Sequence, residues 1–276
     1  MALLIARAGN TKGSKYNRIK AKEGVVMKST DATRNLQFLR ADHAKFDIIG
    51  KPALVLIHLQ NNLVGGIDSK VMPDWMPGAV AGIKASGMVG KCKLLADTFR
   101  AKNLPVIFVH ADGYGVGAVP EYGDLFGQIR AGGANSGRNT LSEEDRKKYW
   151  GVIPEMEFDP SKDELLCNWI SSPWNYSGLD LMLQKHHADT VVWGGFALQS
   201  AVYSGCNGCS DHLFNTIMCV DAAYASVPKS TPNYHEGLND VVAEAIIRVM
   251  APAICQCTDT ATVLEKLKAV PDGKAK

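Results

Sequence analysis

Long hydrophobic runs are missing from this chain of 276 residues. The opening MALLIA is too short for a membrane span or a signal peptide, and Arg7, Gly9 and Lys12 follow closely. That argues against a membrane partner and points to a cytoplasmic protein. A charge imbalance is missing too, since 30 basic against 28 acidic residues leave a net charge of +2. Basic residues gather up to Lys51 and again from Lys266 onward, with no basic face between them, which argues against a nucleic-acid partner. Internal repeats and low-complexity blocks are lacking. The seven cysteines are an odd number, and without an export signal a disulfide framework is not expected.

Two cysteine pairs need weighing, Cys206-x-x-Cys209 with His212 beyond it, and Cys255-x-Cys257. A zinc site needs two such knuckles at suitable geometry. The first pair falls on an expected helix and the second on an expected strand, where same-face spacing serves core packing. Neither a metal nor a cofactor is expected.

What is present is an ordinary globular composition, 46% hydrophobic and 21% charged, in a length that suits one large α/β domain. Residues 1–47 are polar and basic without a sustained period, and read as an N-terminal extension. From there to residue 276 the pattern alternates. Pro52 to Leu59 is an apolar run broken by His58 and closed by Gln60, Asn61 and Asn62, the pattern of a strand buried on both faces. Gly78 to Lys102 reads as one amphipathic helix ended by Asn103, and 105–111 as a second strand. Residues 112–160 read as a long Gly-rich loop. Strands over 165–170, 190–196, 215–223 and 253–257 then alternate with helices over 179–187, 199–214, 236–250 and 260–268. This predicts an α/β fold, a three-layer α/β/α domain around a mostly parallel, six-stranded, Rossmann-like sheet.

In this order the residues resemble the isochorismatase-like, or cysteine hydrolase, superfamily over roughly Phe46 to Leu267. LVLIHLQNN is similar to the family's opening strand, which usually ends I-D-x-Q-N-D. TVVWGGFALQSAV is similar to its fourth strand and nucleophile turn. Asp221-Ala222, His235-Glu236 and the threonines Thr258 and Thr260 follow at family spacing. The resemblance implies a hydrolase fold in dimers or tetramers, with a small-molecule substrate. It also implies an Asp base, an assisting Lys and an attacking Cys. Here those positions fall on His58, Asn168 and Ala201, so the thiol mechanism is not expected to run.

The remaining chemistry centres on His58, whose imidazole could replace the carboxylate as general base. Asn168 could donate a hydrogen bond to a substrate oxygen, and Gln60 could orient the loop after the first strand. The backbone from Phe196 to Ala201 opens a helix and could bind an oxyanion. A one-residue slip would place Ser200 as nucleophile; the alternative is a Ser200 that caps or opens the helix. His110 and Asp112 end the second strand; they could join His58 around a metal, or simply face the pocket. Trp75, Trp169, Trp174, Tyr176, Trp193, Phe196 and Tyr203 lie in segments that should rim the site, with Trp174 and Tyr176 the better candidates for holding a planar ligand. Hydrolysis, a cofactor-free oxygenation or lyase step, and binding without turnover all stay open.

Overall fold

The computed structural model describes residues 47–65, 76–111, 142–168, 172–175, 177–227, 229 and 231–274. Six strands form one sheet: β1 (Pro52–Ile57), β2 (Val106–Ala111), β3 (Glu164–Asn168), β4 (Thr190–Phe196), β5 (Asn215–Tyr224) and β6 (Gln256–Thr258). Their order is β3-β2-β1-β4-β5-β6, and all five pairings are parallel. The chain lays β1, β2 and β3 outward in one direction, then returns to β1 and lays β4, β5 and β6 in the other. The order therefore reverses between β1 and β4, and ligands of open α/β sheets sit at such a reversal, beyond the strand carboxyl ends.

The fully buried run of β1 has the physical cause expected from its composition. Leu54 and Leu56 enter one core with Ile83 of α1 (Met76–Ser86), Leu95 and Phe99 of α2 (Met88–Ala101), and Val263 of α7 (Thr260–Leu267). Ala53, Val55 and Ile57 enter the other core. There they meet Leu183 of α4 (Leu179–Lys185), Cys206 of α5 (Tyr203–Asp211) and Ala243 of α6 (Leu238–Ala245). Alternate residues of one strand thus serve opposite layers, each large side chain contributing roughly 1.5–3 kcal/mol by leaving water. The three-layer α/β/α architecture is as expected.

Several boundaries differ, for local reasons. The single helix expected over 78–102 is two, because Gly87 takes φ +71°, a left-handed conformation that ends α1. Ser86 Oγ bridges the break, donating to Ile83 O at 2.8 Å and accepting from Met88 N at 3.3 Å. Asn103, at φ +52°, does terminate α2. The loop expected over 112–160 contains α3 (Glu143–Trp150) and a short turn at Pro154–Met156. Ser142 followed by Glu143, Glu144 and Asp145 is the helix-start signal that was available in the sequence. The helices expected over 199–214 and 236–250 each contain a π-helical turn, Leu198–Val202 and Ile246–Met250.

Two polar contacts tie helices to the sheet. Arg100 on α2 forks onto Asp163, Nε to Oδ1 at 2.9 Å and Nη2 to Oδ2 at 2.7 Å. The carboxylate is fully buried, and its hydrogen bond raises the Arg100 pKa further. Asp221, on β5, accepts from Thr260 N at 2.7 Å and Thr260 Oγ1 at 2.8 Å, so it fixes the start of α7. Of the expected extension, residues 1–46 lie outside the described residues.

Candidate functional site at the strand ends

His58 is the first residue past β1. Its main-chain N–H still donates to Val109 O of β2 at 2.7 Å, while its φ of +57° lies in the left-handed region. A non-glycine residue there costs about 1–3 kcal/mol, a kind of strain that clusters at functional sites. The ring is 8% exposed. Its Nε2–H donates to Asn168 Oδ1 at 3.1 Å, joining residues 110 positions apart. Asn168 ends β3, is fully buried, and turns its Nδ2 toward Ser172 O at 3.5 Å. The structure thus brings together two of the residues singled out from sequence.

Burial is the main influence on His58, and it lowers the pKa from 6.5 to about 4. The bond to Asn168 opposes this, neighbouring His110 adds to it, and a hydrogen bond with the Phe196 backbone opposes it again. The imidazole is therefore neutral at pH 7. A neutral ring carries one N–H, so it donates to only one of these two acceptors at a time, and the nitrogen without the proton keeps a free lone pair.

Gln60 was expected to orient the loop after β1, and its hydrogen bonds hold that loop. It is fully buried, and its Nε2 donates to Trp150 O at 3.0 Å. Its own carbonyl receives the N–H groups of Leu63, Val64 and Gly65, closing a tight turn. Asn61 Nδ2 donates to Lys148 O at 2.8 Å, and Asn62 N to Tyr149 O at 2.8 Å. The three polar residues after His58 therefore stitch β1 to the end of α3. His110 joins the same point, its Nδ1–H donating to Trp150 O at 3.3 Å. Sequence reasoning missed the Trp150 carbonyl as an anchor, because it lies in the segment read as loop.

Past β4 the chain makes a cis peptide at Phe196–Ala197 and enters the π-turn Leu198–Val202. π-turns of this kind recur at functional sites. Ser200 is half-buried in the turn, and its N–H donates to Ala197 O at 3.2 Å. Among the described residues no hydrogen bond links Ser200 to His58. Neighbouring Gln199 grips Ser226, its Nε2 donating to Ser226 O and its Oε1 accepting from Ser226 N at 3.3 Å. The side chains of Phe196 and Ala201 belong to the two cores, leaving their main chain to the turn. Phe196 reaches His58 through its main chain.

Trp174 is placed against a helix. Its Nε1 donates to Gly205 O at 2.8 Å and its ring stacks on His212 at 4.6 Å between centroids. The indole packs on α5 because Gly208 has no side chain to fill the place it takes, although the nearby Ser172 carbonyl meets Asn168. Trp193 is likewise fully buried core. Asp112, Tyr176, Trp75 and Trp169 lie outside the described residues. Among the described residues no group of three or more His, Cys, Asp and Glu side chains is arranged to hold a metal ion, and no helix is long and apolar enough to cross a membrane.

Comparison with known proteins gives a consistent result. The isochorismatase domain model matches residues 52–253. An isochorismatase family protein from Burkholderia thailandensis is 21% identical, with a TM-score of 0.58 over 82% of this chain and all of the other. N-carbamoylsarcosine amidase from Thermoplasma acidophilum is 22% identical, with a TM-score of 0.53 over 76% of this chain and 97% of its own. A cysteine hydrolase from Pseudomonas syringae is 16% identical, with a TM-score of 0.63 over 82% of this chain and 98% of its own. No curated protein matches the sequence.

Proposed function

The chain belongs to the isochorismatase domain family, and on that premise we propose that it hydrolyses a small, planar or aromatic metabolite without a cysteine nucleophile. In this reading His58, Asn168 and Ala201 stand where the family carries its Asp, Lys and Cys. His58 takes the proton from the attacking hydroxyl, which is that of Ser200 or of a water molecule. Asn168 holds the ring, and the opening N–H groups of the π-turn receive the developing oxyanion. The observation that carries the reading is the 3.1 Å contact between His58 Nε2 and Asn168 Oδ1 at the reversal of strand order.

Basicity supports the same assignment. A conjugate-acid pKa of about 4 is close to the ~3.9 of an ordinary aspartate, so His58 is about as strong a base as the carboxylate it replaces. The charge differs, however. An aspartate goes from anion to neutral on taking a proton, whereas His58 goes from neutral to cation inside a buried site. That step is eased by an oxyanion forming beside it, which suits addition to a carbonyl. The reading includes a cytoplasmic homo-oligomer, a dimer or tetramer, acting on a small molecule, with neither nucleic acid nor membrane as partner.

A second reading, a binding protein without turnover, is favoured by one observation: the ring of His58 is already engaged by Asn168 and the Phe196 backbone. A base must turn a lone pair to its nucleophile. The deciding experiment incubates the pure protein with a pool of aromatic and amide metabolites, with and without air, and reads masses. Gain of water alone, lost in His58→Gln, supports the hydrolase. Gain of oxygen that requires air overturns it in favour of cofactor-free oxygenation, and an unchanged pool overturns it in favour of binding.

A further inference from the structure

The pair Cys255-x-Cys257 has no part in the strand-end chemistry, yet the structure turns both side chains to one point. Cys255 lies just before β6 and Cys257 in the middle of it. Cys257 is fully covered, while Cys255 keeps 9% of its surface exposed. Their Sγ atoms are 4.0 Å apart. A short turn, Ala251–Ala253, and Ile254 at φ −128° and ψ −21° come immediately before, so the chain is bent where it reaches Cys255. β6 is the edge strand, two places beyond β4, which sets the pair apart from the reversal where His58 lies.

Distance decides among the roles open to two such sulfurs. A disulfide needs about 2.05 Å between them, so the pair would have to close by about 2 Å within a packed core. An S–H···S contact fits as it stands but contributes little, since thiols are weak donors and weak acceptors. A metal–sulfur bond is about 2.3 Å long, so an ion equidistant from sulfurs 4.0 Å apart sits at an S–metal–S angle of about 120°. Spreading the sulfurs by only about 0.6 Å would make the arrangement linear. Of the three, the metal chelate is the strong interaction that asks for the least movement.

The ligand set then selects the ion. Among the described residues no group of three or more His, Cys, Asp and Glu side chains is arranged for a metal, so an ion that demands four protein ligands, as structural zinc does, is not served. Two thiol sulfurs without a harder donor suit a soft cation, of which copper(I) is the biological example. We propose that Cys255 and Cys257 form a two-sulfur chelate for a soft monovalent cation of the copper(I) type. As the ion arrives, one thiol gives its proton to solvent and a metal–sulfur bond takes the place of the S–H bond. The second sulfur donates a lone pair and keeps its proton. Thiolate, thiol and cation sum to zero charge, the state least opposed by burial. No electron is transferred. The proton is there to be released, because contact with Cys255 first, and burial second, hold the Cys257 thiol above its ordinary pKa. Cys255 is the point of entry, being the one of the two with exposed surface. The bound ion braces the bend before β6, from which the chain runs on to Asp259, whose Oδ1 caps α7 by accepting from Thr262 N at 2.8 Å.

The test adds copper(I), kept reduced under nitrogen, to the full-length protein in competition with bathocuproine disulfonate. The expected result is one ion taken up per chain, one proton released with it, and a raised melting midpoint. X-ray absorption of the loaded protein should show sulfur as the near neighbour of copper, at about 2.3 Å. Cys255→Ser and Cys257→Ser should each weaken binding about a hundredfold, because the second sulfur no longer acts within the same chelate. Cys167→Ser, which removes the half-buried thiol of β3, should leave binding unchanged. Failure of the wild type to take copper from the competitor, nitrogen or oxygen neighbours in place of sulfur, or full binding by either serine variant at position 255 or 257 would overturn the proposal. The wild-type titration and spectrum decide the matter even where a variant fails to fold.

Discussion

Acidification should destabilise this protein through His58 in a predictable way. The folded state holds the ring neutral down to about pH 4, whereas an unfolded chain protonates it below its ordinary 6.5. Between those two values the unfolded state binds the extra proton, so stability falls as pH falls. Each pKa unit is worth about 1.4 kcal/mol, which gives a loss of roughly 2 kcal/mol by pH 5 and roughly 3 kcal/mol by pH 4. Burial of the ring means that solvent screening takes little from this figure. The assay is urea unfolding of the wild type and of His58→Gln at a series of pH values from 7 to 4. Every other titratable group is common to both proteins and cancels in the difference. Wild type should lose about 2 kcal/mol more than the variant between pH 7 and pH 5. Parallel curves, or an imidazole signal titrating above pH 6 by NMR, would refute the reasoning and with it the carboxylate-like basicity assigned to His58.

Other perturbations test the frame that holds the site. Asp163→Ala leaves the Arg100 guanidinium, itself only 14% exposed, with Asp97 and Met156 O alone, and should cost about 2–3 kcal/mol in urea unfolding; a loss below about 1 kcal/mol would show that the pair is dispensable. Gly195→Ala places a Cβ 2.1 Å from Ile57 O at a φ of +119°, where β1 and β4 meet, so at least ~2 kcal/mol should be lost, seen as a collapse of soluble yield or melting midpoint. Asp221→Ala removes both bonds to Thr260 and should cost about 1–2 kcal/mol, nearly all independent of salt because the Lys91 contact is half-exposed. A salt-sensitive loss would reassign the stabilisation to that ion pair.

The sequence by itself determined the three-layer α/β/α architecture, and the strand order came from the structure. A run such as ALVLI leaves no face for water, so β1 had to be covered on both faces, and the alternation that follows leaves a parallel sheet as the economical way to bury it. His58 was legible as a candidate because it lies near the end of an apolar strand, and Asn168 because it aligns with the family's Lys. Asp221 was legible by spacing, although its role in fixing α7 was not. What only the tertiary structure decided is where the polar side chains spend their hydrogen bonds. Gln60, beside His58 in sequence, turns away to Trp150 because α3 returns there, and no local pattern encodes a partner 90 positions distant. Trp174 packs on α5 for the same reason, its place set by an open helix face rather than by its own polar loop. The basicity of His58 is likewise a property of the fold, because desolvation depends on everything that covers the ring and on nothing in its immediate sequence.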